Sequence, residues 1–85
     1  MPKINKDNVS FRKIDDEYFI LTVPDAVMHN VTGSGVFIFD GLIEGRDEEE
    51  ILQKLLDEYE VPREEAEKDL REFLGQMTEL GILTE

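Results

Sequence analysis

The chain has 85 residues, enough for one domain and too few for two. Its 21 acidic side chains against 9 basic ones give a formal charge of −12, which disfavours phosphate backbones and anionic lipid surfaces. It has no cysteine, which excludes a disulfide framework, a thiolate metal site and a thiol nucleophile.

The charge is unevenly spread. Residues 1–31 carry a net −1 and residues 32–85 carry −11, so the second half holds nearly all of the acidity. A solvated acidic surface explains most of these carboxylates. No apolar run follows Lys3 and Lys6, so no signal peptide is expected. No stretch approaches the roughly 20 apolar residues of a membrane span. The cytoplasm is the expected compartment.

Residues 1–7 are polar and of mixed charge, and read as a loose tail before a single domain over 8–85. Val9–Ile14 is rich in β-formers, Asp15-Asp16-Glu17 is a turn candidate, and Tyr18–Val23 is a β-branched and aromatic strand. The short polar link makes these two a hairpin. Pro24-Asp25 breaks the run, and Ala26–Val31 is a shorter third strand.

At Thr32-Gly33-Ser34-Gly35 the period changes, with Thr32 or Ser34 able to cap a helix. Val36, Phe37, Ile38, Phe39, Leu42 and Ile43 form a short apolar helix that reads as buried and ends at Gly45-Arg46. Asp47 and Glu50 have capping-box spacing at the start of a second helix. Its inner face carries Ile51, Leu52, Leu55, Leu56 and Tyr59. Val61-Pro62 opens a third helix, whose inner stripe is Ala66, Leu70, Phe73, Leu74, Met77 and Leu80. Gly81 is placed to end it, and Ile82-Leu83 to fold back as an apolar anchor. The fold class is α+β, a three-stranded antiparallel sheet followed by three helices.

No residue set suits catalysis. The carboxylate pairs fall on solvent faces, whereas general acid–base chemistry needs a partly buried, perturbed group. Asp15-Asp16-Glu17 lacks the spaced ligands and glycine of a calcium loop. His29 is the single histidine, so the chain cannot build a two-histidine metal site by itself. Gly33-Ser34-Gly35 lacks the Lys-Ser/Thr of a phosphate loop, and Ile38 stands where a dinucleotide fingerprint needs its third glycine. No cofactor is expected, and Phe37, Phe39 and Phe73 read as core.

An interaction module remains. Three strands in hairpin order leave two sheet edges, each with unpaired N–H and C=O groups. Ala26, Val27, Met28, His29, Asn30 and Val31 include no formally charged side chain, unlike the first strand with Arg12 and Lys13. That edge lacks the usual protection against pairing with another chain.

Asn30, Thr32-Gly33-Ser34, Phe37 or Phe39, Glu44-Gly45-Arg46, Glu50-Ile51, Leu55, Val61, Asp69, Phe73-Leu74 and Gly81-Ile82-Leu83 form an ordered set. In that order they resemble the PqqD family, the peptide chaperone of pyrroloquinoline quinone biosynthesis. More broadly they resemble the elements that recognise leaders of ribosomally made, post-translationally modified peptides. The family pattern commonly has tryptophan where this chain has phenylalanine, and an aliphatic residue at His29.

The resemblance implies a winged helix-turn-helix-like fold. It also implies capture of a leader peptide by strand addition, antiparallel to Ala26–Val31, in a groove walled by Leu70, Phe73, Leu74 and Met77. The partner it implies is a separate modifying enzyme, in this family often a radical S-adenosylmethionine enzyme. A winged-helix DNA-binding regulator is the alternative on fold, and a homodimer through the same edge strand is a third reading. Against the regulator, Asp47–Tyr59 offers a DNA groove only Gln53 and Lys54, among six carboxylates.

Overall fold

Alternating burial along one strand sets the architecture. A computed structural model describes residues 2–23 and 25–84. In order they form β1 (Lys3–Ile4), β2 (Val9–Ile14), β3 (Glu17–Thr22), β4 (Val27–Val31), α1 (Ser34–Ile43), α2 (Glu48–Glu58), α3 (Arg63–Glu79) and β5 (Leu83–Thr84). Along β3, Tyr18, Ile20 and Thr22 are buried while Glu17, Phe19 and Leu21 are half-buried, so one sheet face meets the core. The sheet is antiparallel in the order β2-β3-β4, and β1 pairs with β5 in a separate two-stranded ribbon.

The β2–β3 hairpin turns on two residues alone. Asp15 and Asp16 have φ of 49° and 62°, left-handed values that the tight hairpin turn demands and that aspartate tolerates better than most residues. Glu17 therefore begins β3 instead of belonging to the turn. Residues 1–7, expected as a loose tail, contribute β1: Lys3 pairs with Thr84 and Ile4 with Leu83. The pairing has a core reason, because Ile82 and Leu83 are buried and draw the chain ends together. Pro24 lies outside the described residues. Ala26, expected in the third strand, has a φ of 55° and lies in the turn that precedes β4.

Phe39, at 0% exposure, centres the core, with its ring 4.8 Å from Tyr18 and 5.4 Å from Phe11. Ile38, Ile51, Leu55, Leu70 and Ile82 fill in around it. Asp47 caps α2 as expected: its Oδ1 accepts from Glu50 N at 2.8 Å, and Asp47 N donates to Glu50 Oε1 at 3.2 Å. The cap expected for α1 is not made. Gly33, at a φ of 62°, occupies the N-cap position and supplies no side chain, leaving Thr32 before the cap and Ser34 already inside the helix.

Two residues read as inner-facing are exposed. Ile43 is the last residue of α1, where the chain turns away toward Gly45. Leu80 is 44% exposed because α3 stops at Glu79 and Gly81, at a φ of 79°, reverses the chain. Ile82 then takes the core position that the helical period assigned to Leu80.

Candidate functional site: an open strand edge beside α3

The register tells which backbone groups of β4 are unused. A two-residue hairpin loop closes on a hydrogen-bonded pair, here Ile14 and Glu17. At the far end Val23 N donates to Asn8 O at 2.8 Å, the same phase of the alternation. Glu17, Phe19 and Leu21 thus direct their N–H and C=O groups to β2, and Tyr18, Ile20 and Thr22 direct theirs to β4. Opposite the latter lie Val31, His29 and Val27. Met28 and Asn30 therefore turn their main-chain groups outward, to an edge that no other strand covers among the described residues.

Beside that edge, between β4 and α3, lies a hollow of about 350 Å³. Asn30, Val31 and Thr32 bound it on one side, Phe73, Gln76 and Met77 on the other, and Ser34, Gly35 and Ile38 at its floor. The wall can stand this close because position 35 is glycine. A Cβ there would lie 2.8 Å from Val31 Cγ1 and 2.9 Å from Phe73 Cε2.

Of the expected groove residues, Phe73 and Met77 line this hollow, with Asn30 and Val31 from the strand. Leu70 and Leu74 are buried in the core and do not line it. Ala26 sits in the turn outside the strand. Val27 and Met28 are exposed, whereas His29 is half-buried opposite Ile20. Asp69, Glu72 and Gln76 also line the hollow, although the apolar stripe did not include them. The signal that would have found them is their spacing: at i, i+3 and i+7 they flank Phe73 on one helical face.

Elsewhere the polar clusters serve the fold. The Tyr18 hydroxyl donates to Asp40 Oδ1, and Lys13 Nζ lies 3.2 Å from Asp40 Oδ2, tying the sheet to α1. Burial, and then the Asp40 hydrogen bond and charge, push the Tyr18 phenol above its ordinary value. Among the described residues no group of three or more His, Asp or Glu is placed to hold a metal ion. None of their helices is long and apolar enough to cross a membrane.

Among the described residues these features define a small α+β domain with a three-stranded antiparallel sheet, three helices and, at β4, a sheet edge left open beside a helix wall. The family described as coenzyme PQQ synthesis protein D (PqqD) matches residues 17–83, and the chain belongs to that family. No curated protein sequence matches it significantly. Among solved structures, TbiB1 in complex with the TbiA(beta) leader peptide is 34% identical, with a TM-score of 0.90 over 95% of this chain and 93% of that one. Lasso peptide synthetase B1 complexed with the leader peptide is 21% identical, with a TM-score of 0.89 over 99% of this chain and 98% of that one, a likeness of fold.

Proposed function

We propose that this chain is a non-catalytic leader-peptide recognition element, which captures the leader of a ribosomal precursor by strand addition to β4 and presents it to a modifying enzyme. The observation that carries the reading is the uncovered edge at Met28 and Asn30, flanked by the hollow under Phe73 and Met77. Main-chain pairing would supply affinity with little demand on sequence, and the hollow would select alternate leader side chains. The 34% identical relative solved with its leader peptide supports the same assignment.

The modification itself would be carried out by a partner enzyme. The family resemblance points to a radical S-adenosylmethionine enzyme, whose iron–sulfur cluster its own thiolates must hold, since this chain has no cysteine. DNA binding is the reading to test against. α2 exposes only Gln53 and Lys54 toward a DNA groove and opens with Glu48, Glu49 and Glu50.

The test is a pair of titrations. Where a short precursor is encoded beside its gene, calorimetry with the leader of that precursor should show one-to-one binding. Fluorescence anisotropy with duplex DNA at about 50 mM salt, where electrostatic binding is strongest, should show none. Micromolar DNA affinity without leader binding would overturn the proposal.

A further inference from the structure

The charge on the α3 wall bears on which peptide the hollow accepts. Asp69 and Glu72 line it, and neither belongs to an ion pair among the described residues. α3 has three cations, Arg63, Lys68 and Arg71, and although Lys68 stands one turn before Glu72, none of them forms an ion pair with Asp69 or Glu72 among the described residues. Arg63 is engaged with Glu49 and Glu67, and Arg71 lines a different hollow against the start of α2. Two carboxylates outside any ion pair among the described residues thus flank the apolar surface of Phe73 and Met77, in a molecule of net charge −12.

A lysine or arginine suits both parts of this surface. Its methylene stem covers apolar area while its head reaches a carboxylate, and a guanidinium also stacks on an aromatic face. An anion is the competing occupant, because the start of α1 is uncapped and helix N-termini attract negative charge. Asp69 lines an adjoining hollow together with Gly33 and Ser34, so a negative charge already stands near that helix start and disfavours an anion there. Glu72 is left to face the incoming peptide.

Resting on the peptide-binding reading above, we infer that Glu72, with Asp69 beside it, is a specificity residue selecting a leader segment that carries lysine or arginine next to an apolar side chain seated on Phe73 and Met77. The hollow lies at the Val31 end of β4. In an antiparallel pairing the basic residue therefore belongs at the N-terminal end of the paired segment.

A display library of random decapeptides, panned on the folded protein and sequenced, tests this without a known leader. Panning on the parent should enrich lysine and arginine next to an apolar residue by up to about fivefold, the scale of one exposed charge pair. Glu72 is exposed, so Glu72→Lys should fold normally and shift the enrichment to aspartate and glutamate. The same basic preference on the parent and on Glu72→Lys overturns the inference and leaves the peptide-binding reading standing. Failure to recover any peptide, or recovery of peptides that bind Met28→Pro equally well, overturns both.

Discussion

Phe73 of α3 rests directly on Gly35 of α1, so closely that a methyl group at position 35 would come within 2.9 Å of the Phe73 ring and 2.8 Å of Val31 Cγ1. That contact joins the wall and floor of the hollow to the end of the edge strand. Gly35→Ala should therefore cost about 1–3 kcal/mol through overpacking, lowering the melting temperature by about 4 °C or more. Phe73 itself is half-buried, so Phe73→Ala should lose less than the roughly 3–5 kcal/mol of a fully buried phenylalanine and remain folded. The cost of Gly35→Ala should shrink when Phe73 is already alanine, because one of its two clashes is gone. Equal costs in both backgrounds, read by thermal melts, would mean that the ring does not press on position 35.

The Tyr18 phenol, buried and bonded to Asp40, makes a second relationship measurable. Its folded-state proton affinity is raised while the unfolded chain releases the proton near pH 10. The unfolded state thus binds fewer protons above that pH, and stability falls as pH rises. Below about pH 10 the contribution is fully present; above it, up to about 1.4 kcal/mol should be lost per pH unit. Tyr18→Phe should be less stable than the parent at neutral pH, because Asp40 loses a donor and keeps only Lys13. It should lack the extra alkaline loss that the parent shows. Denaturant melts of both proteins at pH 8, 10 and 11 check this, and parallel declines would remove Tyr18 as the cause.

Periodicity disclosed most of this fold, because burial along a strand or helix face leaves a repeat in the sequence. Ile51, Leu52 and Leu55 of α2, and Ala66, Leu70, Leu74 and Met77 of α3, are buried where their spacing placed them. The misses share one cause, since chain reversals depend on backbone angles and not on hydropathy. Leu80 fits the α3 period, but the helix ends one residue earlier and Gly81 sends Ile82 inward in its place. β1 was illegible for a related reason: two residues that pair only with the opposite chain end leave no local pattern. At the candidate site, charge pattern revealed the uncovered strand and not the wall. Phe73 reads as one more member of a buried stripe until Gly35 is seen beneath it. Asp69 and Glu72 read as ordinary solvated acids until the topology sets β4 across from them.

The hydrogen-bond phase of β4 gives the most direct test of strand addition. His29 lies opposite Ile20 in a pair that exchanges main-chain bonds, whereas Met28, opposite Leu21, turns its N–H to the open edge. Met28→Pro deletes only an outward donor on an edge strand, where proline is tolerated, so its circular dichroism and melting temperature should stay close to the parent's. Its leader affinity should fall by about tenfold, the worth of one hydrogen bond. Met28→Ala keeps the N–H and removes the side chain, which is 55% exposed, and should retain most of the affinity. His29→Pro breaks a bond to β3 and should destabilise the fold instead. Calorimetry with the leader, run beside the melts, separates the two effects. If Met28→Pro unfolds while His29→Pro does not, the alternation is the reverse of that derived from the hairpin. If both fold and bind as the parent does, the leader does not pair with this strand.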